Sequence, residues 1–219
     1  MSFNEYYEKE IRKYGGDTKY VIAKAREKKP LIDRILKYLN DGNILEAGAG
    51  SSSNSIYLAS NGLSVTAVDK DQRMIKLAKK LSLGFKNSPI FLNKDLSEIN
   101  EKFSVVFSHG VLEHFSDEEI IDLLNKEISI GRTVIFSVPS NFFKKEQAIN
   151  GDERFLSLEK WREIISKTNG KIVEEFSYFY DPDNLKLKIL KTIFKLTGGV
   201  MPIKKPYIGF VLQKNVHSS

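Results

Sequence analysis

The stretch at residues 43–71, NILEAGAGSSSNSIYLASNGLSVTAVDKD, decides the fold of this chain. A short apolar run ends at Glu46, glycines follow at Gly48 and Gly50, and a second apolar run ends at Asp69. Glycines let the backbone turn tightly and let a ligand approach where a Cβ atom would clash. This order of strand, turn, helix and strand predicts a parallel sheet with a ligand site at the carboxyl ends of its strands.

Helices and strands alternate along most of the chain, which predicts an α/β fold with helices on both faces of a sheet. We expect a Rossmann-like, doubly wound sheet of seven mostly parallel strands with an antiparallel C-terminal edge strand, plus N-terminal helices. The predicted strands are 43–47, 65–69, 90–93, 103–108, 133–139, 171–180 and 207–214. The predicted helices are 5–13, 18–38 with a break near Pro30, 53–61, 72–83, 117–128 and 157–168.

Serines mark several predicted helix starts. Ser51, Ser52 and Ser53 are expected to cap the helix after the glycines, and Ser116 the helix at 117–128. The sequence SLEK at 157–160 is interpreted as a capping box.

The chain length of 219 residues suits one domain. We expect a helical cap at 1–40, a cofactor-binding core at 41–140, and acceptor-side loops with an edge hairpin at 141–219. That hairpin holds a basic amphipathic insertion at 182–206.

Composition excludes several classes of protein. The chain has no cysteine, so disulfides and thiolate chemistry are ruled out. Its three histidines, His109, His114 and His217, lack the spacing of a metal site, and no metal is expected. His217 lies in the tail and is assigned no role. No apolar run is long enough to span a bilayer and the N-terminus has no secretory apolar region, so we expect a cytoplasmic protein.

The positive charge is local. Of the formal net charge of +6, the segment between Pro182 and Pro206 contributes +5, from six lysines against one acid. A nucleic-acid binder that is basic throughout is therefore disfavoured. Apolar and lysine faces predict an amphipathic helix at 183–197. It would lie on an anionic membrane, cover the active site near an acidic substrate, or pack on the domain or on a second subunit.

The acid before the glycines distinguishes two cofactor classes. A dinucleotide site of the G-x-G-x-x-G type would need glycine where Ser53 stands, and Glu46 would repel a pyrophosphate. Glu46 suits a ligand ammonium instead, and Asp69 can accept hydrogen bonds from a ribose diol. An ammonium and a ribose without phosphate describe S-adenosylmethionine, and an NAD(P)-dependent oxidoreductase remains the alternative.

At residues 31–143 and in the terminal hairpin the chain resembles the class I S-adenosylmethionine-dependent methyltransferases. The segments that carry the resemblance are EAGAG at 46–50, VD at 68–69, DL at 95–96 and VVFSHGVLEHF at 105–115. The chain departs from the family at Ser52, where a third glycine is common, and at Ser104, where an aspartate is common.

The resemblance implies cofactor contacts along the strand ends. It places the first acid-glycine motif at the methionine part, the second acid at the ribose, the third at the adenine, and the exit of the fourth strand at the sulfonium. The implied cofactor-binding residues are Glu46, Ala47, Gly48, Gly50, Asp69, Lys70, Asp95, Leu96, Ser108 and His109, with Gly110 beside them.

Methyl transfer needs few catalytic side chains. The acceptor displaces sulfur from an activated methyl carbon in line, so the rate depends mainly on positioning. A base is needed only for a protonated acceptor atom. His109 and His114 are the candidate catalytic residues, and Glu113 is a weaker one. For His114 the favoured interpretation is a structural residue that fixes its loop.

The acceptor is expected to be a small molecule or a lipid- or sugar-linked group. Tyr6, Tyr7, Tyr14 and Tyr20 either form a lid or simply pack. No Asn/Asp-Pro-Pro-aromatic tetrad follows the fourth strand, which disfavours methylation of nucleic-acid bases. A non-catalytic cofactor-binding module is a third interpretation, and either a monomer or a dimer fits the sequence.

Overall fold

The computed structural model describes residues 3–143, 151–178 and 207–215. The helices are α1 (Phe3–Lys13), α2 (Asp17–Glu27), α3 (Lys29–Tyr38), α4 (Ser53–Ser60), α5 (Gln72–Ser82), α6 (Asp117–Ile130) and α7 (Leu158–Ile165). The strands are β1 (Ile44–Ala47), β2 (Val65–Asp69), β3 (Ile90–Asn93), β4 (Phe103–His109), β5 (Gly131–Pro139), β6 (Gly170–Tyr178) and β7 (Tyr207–Lys214). Single 3₁₀ turns lie at Leu96–Glu98 and Leu112–His114.

The seven strands form one sheet in the order β3-β2-β1-β4-β5-β7-β6. The first five strands run parallel, and β7 pairs antiparallel with both β5 and β6. The predicted fold class is confirmed. Chain order reverses between β1 and β4, so a cleft opens at their carboxyl ends, where open α/β sheets bind ligands.

The antiparallel pair differs from the expectation in one detail, because the C-terminal strand is not the edge. β7 lies between β5 and β6, and its residues 208–212 are all buried. β6 is the edge, and its alternation of buried and exposed residues suits a strand with one solvated face.

Helices cover both faces of the sheet. One hydrophobic cluster joins β4, β5 and β7 to α6 and α7, with Trp161, Phe136 and Phe210 fully buried at its centre. The other joins β1, β4 and β5 to α3 and α4, with Leu31 and Ile35 of α3 fully buried. The two layers fix the strand ends at which the site forms.

The N-terminal helices pack beside this core. A third cluster brings Tyr20 and Val21 of α2 against Ile56 of α4 and Leu81 of α5. The predicted break between helices is confirmed: α2 ends and α3 begins around Lys28, with Pro30 in the first turn of α3. Proline fits there because the first helical N–H groups have no intrahelical acceptor.

Helix caps agree with the sequence in part. Ser116 and Glu119 form a reciprocal capping box at α6. Ser157 accepts the Lys160 N–H at 3.2 Å, but the expected box is absent because a lysine side chain cannot accept the return hydrogen bond.

Within the described ranges, no helix combines the length and apolarity that a membrane crossing requires. The segments 182–206 and 183–197 and the residue His217 lie outside the described residues.

Candidate cofactor site at the strand ends

The glycine loop between β1 and α4 turns through three left-handed residues. Gly48 has φ +63° and Gly50 has φ +52°, a region that glycine enters without the steric cost borne by other residues. A Cβ atom at Gly48 would lie 2.8 Å from a methyl group of Val111 in the segment after β4. Glycine at this position therefore lets the two strand exits approach each other.

Ser52 is the third left-handed residue, with φ +53°. It precedes α4, but its hydroxyl makes no capping hydrogen bond and is buried without a partner in the described structure. The expectation that the serine side chains cap α4 is therefore wrong for Ser52, since its left-handed backbone directs the hydroxyl away from the helix amides. This is the position where the resembling family often has glycine.

Glu46 itself binds the start of α4. Its carboxylate is 3% exposed and accepts from Asn54 Nδ2 at 2.8 Å, Ser55 Oγ at 2.5 Å and Ser55 N–H at 3.1 Å. Burial raises the pKa of Glu46, while the bonds from Ser55 and Asn54 act to lower it. Ser55 is in the first turn of α4, so a carboxyl group from the protein already occupies the helix N-terminus.

Asp69 closes the loop from the neighbouring strand. One oxygen accepts the Gly50 N–H at 2.8 Å and the other accepts the Asp71 N–H at 2.8 Å. The next helix is capped by Asp71, whose carboxylate accepts the Arg73 N–H, so Asp69 is not the cap of α5. Each Asp69 oxygen retains lone-pair capacity for a ribose hydroxyl.

Asn93 is a site residue that sequence reasoning missed. Its amide donates to the carbonyls of Asp69 and Lys70 at 3.0 and 2.9 Å, which fixes the exit of β2 from the end of β3. The Lys70 side chain is exposed. The only sequence signal for this role is an asparagine at the end of the third strand, and the sequence does not indicate which groups it binds.

Asp95 starts the turn after β3. Its Oδ1 accepts from the Ser97 N–H at 2.9 Å and from Ser97 Oγ at 2.7 Å, and these bonds lower its pKa. Asp95 is exposed and Leu96 is half-buried. Asp95 also forms a reciprocal capping box with Glu98, and its exposed carboxylate retains lone-pair capacity for a ligand such as an adenine amine.

Ser108 and His109 end β4 and face opposite sides of the sheet. Ser108 is 1% exposed and lies beside Glu127 of α6. Burial raises the pKa of Glu127 to about 8, and the Ser108 hydroxyl acts to lower it. The Ser108 side chain is thus committed to the core, and only its backbone can reach a ligand.

His109 belongs to a hydrogen-bonded group at the other side. Its Nδ1 lies 2.8 Å from Ser137 Oγ, which lies 3.1 Å from the hydroxyl of Tyr178. Burial and the ammonium groups of Lys28 and Lys24 lower the pKa of His109 well below its usual range. The imidazole is therefore neutral at physiological pH.

Aromatic rings surround His109. The ring of Tyr207 stacks on Tyr178 at 5.2 Å and lies 5.5 Å from the imidazole. Phe143 contacts Tyr207 edge-on, and Phe155 packs on Phe143. This aromatic cluster (Phe143, Phe155, Tyr178, Tyr207) gives the acceptor side of the cleft an apolar character that the sequence did not reveal.

Lys28 was also missed. It lies between α2 and α3, half-buried, and no described carboxylate comes within ion-pair distance of its ammonium. Burial and the neighbouring Lys24 lower the pKa of Lys28 to about 8, while Glu46 acts to raise it. The N-terminal helices thus bring a positive charge to the end of β1.

His114 and Glu113 lie in the turn after β4. His114 Nδ1 is 2.8 Å from Asp152 Oδ1, which ties the turn to the segment at 151–156 and favours the structural interpretation. The ligand atoms of His114, Asp152 and Glu153 lie within 4.8 Å of one another, on a partly exposed surface. Glu113 is 4% exposed, and burial raises its pKa to about 7.

The N-terminal tyrosines mainly pack in the hydrophobic core rather than cover the cofactor site. Tyr20 is buried in the third hydrophobic cluster, with Tyr7 and Tyr14 partly buried against it. The Tyr14 hydroxyl donates to Glu27 at 2.6 Å. Tyr7 lies near enough to Asp69 for that carboxylate to raise its pKa, although burial contributes more. Tyr7 is thus the member of the set that borders the site.

Comparison with known proteins agrees with this geometry. The family model of the methyltransferase domain matches residues 44–129. Those residues are a methyltransferase domain. The match contains the acids at the ends of β1 and β2, the turn at Asp95 and the exit of β4.

A curated relative of the methyltransferase domain is the magnesium-protoporphyrin O-methyltransferase of Synechocystis sp.. It is 30% identical over 116 residues, which are 48% of this chain and 50% of that protein. The chain therefore spans about half the length of this relative.

Solved structures share the fold at lower identity. Magnesium protoporphyrin IX methyltransferase (ChlM) from Synechocystis PCC 6803, with S-adenosylhomocysteine bound, has a TM-score of 0.63 and 18% identity, covering 98% of this chain and 88% of its own. The CcbJ methyltransferase from Streptomyces caelestis has a TM-score of 0.65 and 12% identity, covering 88% and 90%. The predicted methyltransferase family is confirmed over residues 44–129, and the solved structures show the predicted fold.

Proposed function

We propose that this protein transfers the methyl group of S-adenosylmethionine to a small-molecule acceptor. The observation that carries the proposal is the contact between Glu46 and the N-terminal turn of α4, where Ser55 donates both its N–H and its hydroxyl. In a dinucleotide-binding fold the same helix terminus must receive a pyrophosphate. Here a protein carboxylate fills it, which supports a cofactor without phosphate and counts against the oxidoreductase alternative.

The proposed cofactor contacts follow from the remaining bonding capacity of the strand ends. Asp69 would hold the ribose diol, the exposed Asp95 carboxylate the adenine amine, and the backbone at Gly48 and Gly50 the methionine part. When bound, S-adenosylmethionine supplies an activated methyl carbon on a positively charged sulfur. The fold fits this group because the carboxylates of Asp69 and Asp95 both lie where parallel neighbouring strands end, and both retain lone-pair capacity.

The protein's own part in the reaction is mainly to position the acceptor. The aromatic cluster (Phe143, Phe155, Tyr178, Tyr207) would bind an apolar acceptor face next to the exit of β4. If the acceptor atom carries a proton, Glu113 is a candidate base, since a carboxyl with a pKa of about 7 is half ionised at neutral pH. The lipid- or sugar-linked acceptors remain part of the proposal.

Transfer from methyl-labelled S-adenosylmethionine to fractionated cell extract tests the function. We expect label in a fraction of small molecules, separated from lipid, protein and nucleic acid. Label in the lipid fraction alone would move the proposal to lipid-linked acceptors. Tight cofactor binding with no label in any fraction would contradict methyl transfer and favour the non-catalytic module.

The proposals on location and assembly rest on the sequence alone. The segment 183–197 would bind an anionic membrane or a second copy of the chain, and the protein would otherwise be cytoplasmic. Co-sedimentation with anionic vesicles at low and high salt tests the first idea, and light scattering tests the second. Absence of salt-sensitive binding to vesicles would exclude the membrane role.

A further inference from the structure

The side chains of Tyr178, Ser137 and His109 form a short hydrogen-bonded relay. The Tyr178 hydroxyl lies 3.1 Å from Ser137 Oγ, and Ser137 Oγ lies 2.8 Å from His109 Nδ1. Ser137 is fully buried and Tyr178 is 5% exposed. Within the described residues, the only further hydrogen bond of these three side chains is the longer one of 3.4 Å between the Tyr178 hydroxyl and His109 Nδ1.

The number of protons fixes the direction of the relay. If Tyr178 donates to Ser137 and Ser137 donates to His109 Nδ1, both hydroxyl protons are bonded. If His109 Nδ1 carries the proton and donates to Ser137, one hydroxyl proton has no acceptor, because among the described residues Ser137 Oγ and His109 Nδ1 are the only acceptors within hydrogen-bond distance of the Tyr178 hydroxyl. A buried donor without a partner is disfavoured.

We infer that His109 is held as the tautomer with its proton on Nε2, and that this N–H is a hydrogen-bond donor for a carboxylate or carbonyl oxygen of a bound ligand. His109 is partly exposed, and Nε2 makes no hydrogen bond in the described structure. A neutral imidazole that already accepts at Nδ1 cannot take a proton at Nε2. His109 is therefore a binding residue and not the base that the sequence suggested as one role.

The charge around His109 selects the ligand chemistry. The ammonium groups of Lys28 and Lys24 both act on the imidazole. Lys24 is neutralised by Glu10 and Glu27, at 3.7 and 3.3 Å, whereas Lys28 has no ion pair with a described residue. A positive charge without a partner beside an N–H donor fits a carboxylate. Given the proposed function, this carboxylate belongs either to the methionine part of the cofactor or to the acceptor.

The tautomer is measurable without any ligand, by long-range ¹H–¹⁵N correlation spectra of protein labelled at its three histidines. We expect His109, assigned by its loss in His109→Gln, to show a protonated Nε2 and a bare Nδ1 at neutral pH. The double variant Ser137→Ala/Tyr178→Phe removes both hydroxyl donors that can bond Nδ1, so a mixture of tautomers should appear. Tyr207→Phe is the matched control, because its hydroxyl takes no part in the relay, and it should leave the tautomer unchanged.

Protonation of Nδ1 in the parent protein, or a charged imidazole at neutral pH, would overturn the inference. The tautomer measurement does not depend on methyl transfer. The inference about His109 can therefore be wrong while the proposed function is right, and the proposed function can be wrong while the inference is right.

Calorimetry identifies the source of the carboxylate. S-adenosylhomocysteine carries one, and 5′-methylthioadenosine lacks it. If the cofactor supplies the carboxylate, His109→Leu should weaken the binding of S-adenosylhomocysteine about tenfold. His109→Gln should keep most of the parent affinity, because its side-chain amide also offers an N–H. 5′-Methylthioadenosine should bind the two variants with equal affinity. If the acceptor supplies it, S-adenosylhomocysteine should bind both variants equally, and the difference should appear in KM for the acceptor. Equal behaviour of His109→Leu and His109→Gln in both assays would exclude the donor role.

Discussion

The carboxylate of Asp69 at the end of β2 accepts the backbone N–H of Gly50 at 2.8 Å, so the second strand holds the glycine loop of the first. Its other oxygen accepts the Asp71 N–H at 2.8 Å. One side chain therefore shapes the loop and also offers lone pairs to the cleft. The two roles require a carboxylate, because an amide oxygen alone cannot serve both sides.

Asp69→Asn should weaken binding of S-adenosylhomocysteine by roughly tenfold to a hundredfold, since hydrogen bonds to a charged group contribute about 1.5–3 kcal/mol. Asp71→Asn is the matched control: it removes the same charge two residues away, and asparagine caps a helix as well as aspartate does. Isothermal titration calorimetry measures both. An equal loss in the two variants would indicate a general effect of charge and contradict the assigned contact.

Gly48→Ala should reduce cofactor affinity by more than a control variant with the same loss of folding stability. Its Cβ atom would meet Val111 at 2.8 Å, and φ +63° is unfavourable for alanine. Gly62→Ala is the control, because that glycine has φ +88° with nothing within 4 Å of the added atom. Both variants should lose about 1–2 kcal/mol of unfolding free energy from left-handed strain, and only Gly48→Ala should also displace the strand exits. Unchanged affinity in Gly48→Ala would refute the role of this close approach.

Ser52→Gly should stabilise the protein. Ser52 has φ +53° and a buried hydroxyl without a partner in the described structure, and glycine relieves both. The gain should be about 0.5–1 kcal/mol, because the greater freedom of glycine in the unfolded chain offsets part of it. Ser53→Gly, in the first turn of α4, should destabilise instead. Urea unfolding of the three proteins decides this, and a loss of stability in Ser52→Gly would show that the hydroxyl has a partner after all.

Glu127→Gln should remove a pH dependence of stability. The pKa of Glu127 is about 8 in the folded protein against an ordinary value of 4.5, so between these values the folded state keeps a proton that the unfolded state releases. The free energy of unfolding should therefore fall as pH rises, by on the order of 3 kcal/mol between pH 5.5 and 8 for this group.

Denaturant unfolding at those two pH values measures the effect of Glu127. The parent should lose stability at the higher pH, and Glu127→Gln should lose clearly less, with Glu113 accounting for the remaining loss. The same loss in both proteins would mean that Glu127 is ionised without penalty in the fold.

Patterns local to the chain made most of the fold predictable. The apolar strands 65–69 and 90–93 were predicted to the residue, because β2 and β3 are bounded by turn and polar residues. The order of acid, glycines and second acid predicted which strand ends meet. The position of β7 between β5 and β6 was not predictable, because sequence patterns give the strand but not its neighbours.

Site residues were predictable only where the residue type and its position at a strand end together indicate a binding role. Glu46 and Asp69 were found because carboxylates at strand ends are conspicuous. Their protein partners were not, since Asn54, Ser55 and Gly50 are ordinary residues until the fold brings them close. Contacts between residues far apart in the sequence were not predicted, for the same reason. Examples are the hydrogen bond of Tyr178 with Ser137 and the electrostatic interaction of Lys28 with Glu46.

The measurement that tests the account most directly is a pair of calorimetric titrations of the parent protein, one with S-adenosylhomocysteine and one with NADH. Because Glu46 already occupies the α4 N-terminus, we predict saturable one-to-one binding of S-adenosylhomocysteine and no binding of NADH at the same concentration. Binding of NADH without binding of S-adenosylhomocysteine would contradict the account.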